Sequence, residues 1–273
     1  MQTHSLQDLS DRFAPSDRMP VVFLGHGSPM NVIEDNDYSR AWSDLGKSLP
    51  CPKAILVVSA HWMTQGTTLV DVSEMPRTIH DFYGFPQVLF DQHYPAPGQP
   101  GLAREIVALL KSHRAQEDDH WGLDHGAWAV LKFLYPEADV PVFQVSIDMS
   151  RGLEHQLDIG RTLSDLRDRG VLILGSGNVV HNLRAMRPGG KPLDFALEFD
   201  ALFADRLTDR DFAALADAEG LGALLPAAHP TVDHYLPALA VAGASDARDD
   251  LTFMTDAIDL GSVSMRSFIF HAN

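Results

Sequence analysis

The sequence is poor in cysteine, with a single residue, Cys51, among 273. One thiol excludes an intramolecular disulfide and a thiolate zinc knuckle, and the cytoplasm is the expected compartment. Positive charge is also scarce, since 21 Lys and Arg stand against 37 Asp and Glu and leave a net charge of −16. Neither nucleic acid nor an anionic membrane surface is an expected partner for such a chain. Long apolar runs are missing, and residues 1–18 are polar and mixed in charge, unlike a signal peptide. Several catalytic signatures are absent as well. GHGSP at residues 25–29 lacks the Lys-Ser/Thr of a phosphate loop, and GSGNVV at 175–180 does not complete G-x-G-x-x-G. Neither Ser28 nor Ser176 stands in G-x-S-x-G, and H-E-x-x-H does not occur.

What the chain does have is histidine, 13 in all. With so little thiol, a transition metal would have to lean on imidazole and carboxylate. Three histidines follow apolar runs that read as buried strands. VVFL (21–24) runs into Gly25-His26-Gly27, AILVVS (54–59) into Ala60-His61-Trp62, and VLIL (171–174) into GSGNVVHNL with His181. Ligands of open α/β sheets collect beyond the carboxyl ends of the strands, so this repetition predicts a metal site there.

Along the chain, helices are expected at residues 38–48, 102–115, 127–134, 154–169, 194–206 and 211–218, and further strands at 67–72 and 140–147. Residues 262–270 alternate in the manner of a final strand, at an edge. The stretch 75–100, rich in Pro, Gly and aromatics, is too long for a plain connector and reads as a lid or pocket wall. Residues 1–20 read as a polar lead-in. From residue 20 to 273, strands alternate with helices without repeats or linkers, which predicts one α/β domain with a mixed, mostly parallel sheet flanked by helices.

Taken singly, each histidine has an alternative role. His26 and His61 could bond turn backbone, but two strand-exit imidazoles brought to one mouth favour ligation. His181 can reach the same mouth as a ligand or as an unligated acid/base. His234, in HPTVDHY, could be a ligand or an exposed helix-start residue. His125 in LDHGAW faces substrate or is a hydrogen-bonded core residue, and His80 lies in the lid.

The motifs GHGSPMN, SAHW, RTIHDFYGFP, YPAPG, LDHGAW, GSGNVVHNL, HPTVDHYLPAL and SMRSFIF together resemble the 4,5-DOPA extradiol dioxygenase-like proteins. These are class III ring-cleaving dioxygenases of the LigB-type superfamily. The resemblance covers essentially the whole chain. It implies one divalent metal per chain, held by His26, His61 and His234 with His181 as acid/base or a further ligand, and Asp233 as the carboxylate alternative to His234. It implies His125 as a second pocket histidine. His229 and the lid residues His80, Phe82 and Tyr83 are expected to hold the substrate ring and its side chain. Zinc is expected in the isolated protein and Fe(II) in turnover, with a catechol and O₂ as partners and a muconic semialdehyde as product. Oligomeric state is left open. A site of imidazoles also admits a zinc-dependent hydrolase or a non-catalytic zinc protein, and only the dioxygenase would consume O₂.

Overall fold

The computed structural model describes residues 18–272. Its centre is a six-stranded sheet made of β1 (Val21–Gly25), β2 (Ala54–Ser59), β3 (Val142–Gln144), β4 (Val171–Gly177), β5 (Asp249–Thr255) and β6 (Ser267–Ala272). The strand order is β3-β2-β4-β1-β6-β5. The pairs from β3 through β2 and β4 to β1 are parallel, whereas β1–β6 and β6–β5 are antiparallel. The result is a mixed α/β domain with helices on both faces.

The strands β1, β2 and β4 are buried along their whole length, which is why they read as unbroken apolar runs rather than alternating ones. Their residues still divide by parity. Phe23, Leu56, Ile173 and Phe268 face one core, and Val22, Val57, Leu172 and Ile269 face the other. Helices α1 (Asp37–Ser48) and α3 (His125–Leu134) cover the second face through Trp42, Trp128 and Leu131. Helices α2 (Pro100–Leu109), α4 (Leu153–Leu163), α5 (Asp194–Thr208) and α6 (Leu236–Ala244) cover the first through Ile106, Leu157, Phe199 and Leu239. Helix α6 is buried all round and crosses α4 at glycines. A Cβ at Gly160 or Gly243 would sit 2.0 Å from a carbonyl oxygen of the other helix.

Several boundaries differ from the sequence reading. The final strand, β6, is interior, because it pairs with β1 on one side and β5 on the other; Phe268 and Phe270 enter one core and Ile269 the other. The edge is β5, whose polar, half-exposed DDLTFMT gave no strand signal. The helix expected to reach residue 115 ends at Leu109, and Arg114, in a left-handed conformation, turns the chain into Ala115–Asp118, which pairs with Thr68–Asp71. Helix α4 stops at Leu163 and continues as a 3₁₀ segment to Arg169, closed by Gly170 at φ 82°. Instead of one helix over 211–218, two short ones form at Phe212–Leu215 and Ala218–Leu221. The strand expected at 140–147 divides into β3 and Ile147–Asp148.

Of the expected lead-in, residues 1–17 lie outside the described ones. Met19 is already packed, with its carbonyl accepting from Arg167 Nε at 2.7 Å. Arg167 is wholly buried and forks onto both oxygens of Asp249, at 2.6 and 2.8 Å. Among the described residues no helix is long and apolar enough to cross a membrane.

Candidate metal centre

Parallel pairing puts the carboxyl ends of β2, β4 and β1 side by side, with β4 between the two strands that deliver His61 and His26. The exits are tied to β4 itself, since His26 N donates to Gly177 O at 3.1 Å and Ala60 N to Ser176 O at 2.9 Å. His125 opens α3, whose N-cap Asp124 accepts from Ala127 N. His234 closes a 3₁₀ turn just before α6. Its carbonyl accepts from Asn178 N at 2.9 Å, fastening the turn to the end of β4. A Cβ at Gly177 would meet that carbonyl at 2.2 Å, so only glycine allows the approach.

The imidazoles converge. Ring centroids of His26 lie 5.1 Å from His61, 5.4 Å from His125 and 5.2 Å from His234. Those of His61 lie 4.0 Å from His125 and 5.0 Å from His234. His181 stacks on His234 at 3.5 Å with an interplanar angle of 8°. The possible ligand atoms fall into two groups, each within 4.8 Å: His26, His61 and His125, and His181, Asp233 and His234. The short distances from His234 to His26 and His61 make the two groups one cluster.

Three side chains set the tautomers. Ser176 Oγ donates to the Gly126 carbonyl, at 2.5 Å, and so accepts from His26 Nδ1 at 3.0 Å. Asp233 Oδ2 accepts from His234 Nδ1 at 2.5 Å. Asp81 Oδ2 lies 3.2 Å from His61 Nδ1, and its Oδ1 accepts from His125 Nδ1 at 3.0 Å. With the proton held on Nδ1, each ring keeps the Nε2 lone pair free, which is the arrangement a ligating imidazole needs. The Nε2 atoms of His26 and His61 face one another at 3.2 Å. Two nitrogens on one tetrahedral zinc, at about 2.0–2.1 Å each, stand about 3.3 Å apart. The residues present therefore fit a metal ion.

Electrostatics agree with neutral ligands. Burial first, and then the neighbouring histidines, push the His26 and His234 imidazoles well below their ordinary range. Burial, against the pull of Asp233, lowers His181 to about 4. Burial and His61 lower His125. His61 departs from this pattern. Burial presses it down, but the hydrogen bond to Asp81 and the charges of Asp124, Asp81 and Asp233 prevail, so it is raised. The same surroundings suit a cation at its Nε2 end. Burial raises Asp81, but its bonds to His125 and His61 outweigh that and hold it far below the usual carboxylate range.

The other expected site residues lie further out. His229 is buried against Phe199 and Tyr235, with Nε2 directed to the Val179 carbonyl at 2.7 Å. His80, in the lid, bonds the Gln92 carbonyl through Nε2 at 2.8 Å and packs near Phe82, Phe90 and Trp128. The Tyr83 side chain is 92% exposed. Phe82, by contrast, sits edge-on to His125 at 5.6 Å between ring centroids. Arg77 donates through Nε to the Trp121 carbonyl, and Arg184 is exposed.

Asp81, Ser176 and Asp124 escaped the sequence reading. Asp124 takes Ser59 Oγ at 2.6 Å, Trp121 Nε1 at 3.1 Å and Gln144 Nε2 at 3.1 Å, and so braces the floor beneath His61. The one local signal for Asp81 is its place beside His80 in the aromatic stretch HDFYGF.

Comparison with known proteins agrees with this geometry. The chain is 47% identical over 268 residues to a 4,5-DOPA dioxygenase extradiol of Escherichia coli (strain K12), covering 95% of this chain and 97% of the relative. It is 36% identical to a protein of the same description from Beta vulgaris, covering 91% and 95%. A crystal structure of an uncharacterized protein from Escherichia coli K12 superposes with a TM-score of 0.79 at 43% identity, over 92% of this chain and 99% of that one. The family model described as the catalytic LigB subunit of aromatic ring-opening dioxygenase matches residues 20–259. With that match over most of its length, and an imidazole cluster at the carboxyl edge of its sheet, the chain belongs to the LigB family.

Proposed function

We propose that the protein is a metal-dependent extradiol dioxygenase that opens a catechol ring of the DOPA type with O₂, giving a muconic semialdehyde. The relatives named for 4,5-DOPA extradiol cleavage support the reaction class. One observation carries the site: His26, His61 and His234 each have Nδ1 turned back onto an oxygen, leaving Nε2 as the free donor. These three would hold the ion, zinc in the isolated protein and Fe(II) in the working enzyme. Bound there, ferrous iron supplies a common centre for catechol and dioxygen and the one-electron chemistry that dioxygen requires.

The chain's own groups manage protons and position. His181, lowered to about 4, is neutral at pH 7 and can accept a catechol proton, then return it as the ring opens. His181 has no side-chain hydrogen bond among the described residues, so both its nitrogens remain available. His125 has its Nδ1 proton fixed by Asp81 and offers Nε2 as an acceptor to a substrate hydroxyl. Phe82 beside it supplies an apolar wall for an aromatic ring. The lid is anchored where it meets the site, through Ile79 N to Leu123 O and Trp128 Nε1 to Ile79 O.

The test is oxygen uptake by protein reconstituted anaerobically with Fe(II) and given catechols, with formation of a yellow ring-opened product. The expected His181→Ala protein keeps its metal and loses turnover. Oxygen-independent turnover would refute the reading, and loss of the metal from His181→Ala would make His181 a ligand rather than the base.

A further inference from the structure

Asp81 stands on the lid segment, yet its carboxylate lies among residues from two other elements. Oδ1 accepts from both the backbone N and the Nδ1 of His125, at 2.9 and 3.0 Å, and Oδ2 faces His61 Nδ1 at 3.2 Å. One carboxyl group thus joins the exit of β2, the first residue of α3 and the lid. The adjoining backbone holds it there. Leu123 N donates to Arg77 O and Ile79 N to Leu123 O, and Thr78 pairs with Leu123 as a parallel bridge.

An ionised carboxylate can only accept. Both imidazoles must therefore place a proton on Nδ1 to satisfy it, and both keep a free Nε2. Those two nitrogens have different tasks in the proposed function, His61 binding the metal and His125 accepting a hydrogen bond from a substrate hydroxyl. We propose that Asp81 is a positioning residue that sets both histidines at once, so that metal affinity and the hydrogen bond offered to substrate depend on one lid-borne carboxylate. The lid is then part of the metal site's support and not merely a cover over substrate.

This inference rests on the proposed metal site, and the experiment separates the two. Zn(II) affinity of the metal-free full-length protein is measured by competition with a chromophoric chelator, and turnover is measured separately with saturating Fe(II). Asp81→Asn preserves size but presents an amide N–H to one of the two Nδ1–H groups, which cannot accept it. The expected result is a loss of about 10- to 100-fold in zinc affinity, a fall in kcat, and little change in KM for the catechol.

His125→Gln is the second variant. It keeps the Asp81–His61 contact, so zinc affinity stays at the wild-type level while kcat falls. In the double variant, Asp81→Asn still lowers zinc affinity but adds little further loss of kcat. Wild-type zinc affinity in Asp81→Asn, or an effect confined to KM, would overturn the inference. Loss of zinc by His125→Gln would also overturn it, because His125 would then be a ligand. Failure of the wild-type protein to bind zinc would instead remove the metal site itself.

Discussion

Replacing Ser176 by alanine isolates the support of a single candidate ligand. The hydroxyl is buried and makes two contacts, accepting from His26 Nδ1 at 3.0 Å and donating to the Gly126 carbonyl at 2.5 Å. Alanine leaves the His26 Nδ1–H without its acceptor and the Gly126 carbonyl without this donor. A buried polar group stripped of its partner costs about 1–3 kcal/mol, so the metal-free protein should lose stability of that order. The imidazole is then free to rotate or to move its proton to Nε2, where it would block ligation. Removing such a support typically costs about 10–100-fold in metal affinity, which is about 1.4–2.8 kcal/mol at 1.4 kcal/mol per decade. Chelator competition reads the second quantity and denaturant unfolding of the metal-free protein the first. A Ser176→Ala protein that is destabilised yet binds zinc as tightly as wild type would refute the claim that Ser176 sets the His26 tautomer.

Three further outcomes follow from the same geometry. Gly126→Ala would place a Cβ 2.5 Å from Ser59 Oγ and 2.9 Å from His61 Cδ2, so it should shift the His61 ring and weaken metal binding, measured by titration. Arg167→Met strands the buried Asp249 carboxylate and should cost about 3–5 kcal/mol in denaturant unfolding, as broken buried ion pairs do. Burial raises the Asp249 carboxyl, but the Arg167 bond and the Asp246 amide prevail and hold it below the ordinary value. Its stabilising contribution is therefore complete above about pH 4, the unfolded value, and is lost as pH falls toward the folded one. Unfolding curves at pH 6 and pH 3 should differ less for Arg167→Met than for wild type.

The sequence showed the parts of this molecule whose cause is local. Apolar runs ending in small residues marked β1, β2 and β4 together with His26 and His61, because a strand buried on both faces leaves no polar alternation. It could not show that β4 lies between the other two, since that order depends on which strands pair across more than a hundred residues. The edge strand β5 was missed because Asp249 and Asp250 open a strand that solvent half covers. Ser176 stood in plain view as a turn serine with no nucleophile motif, and its role emerged only when α3 brought the Gly126 carbonyl against it. Asp81 was silent for the same reason, and so were the contacts of Asp124 with Ser59 and Gln144, as these partners come from distant elements. His229 and Tyr83 matched in type what a substrate pocket uses, but packing placed one against the aromatic core and the other at the surface.

The most direct test is anomalous diffraction, at the metal's absorption edge, from crystals of zinc-loaded and Fe(II)-loaded protein. The account predicts one peak per chain, about 2.0–2.2 Å from the Nε2 atoms of His26, His61 and His234. A peak bound elsewhere, ligation through Nδ1 of these rings, or no peak at full metal saturation would contradict it.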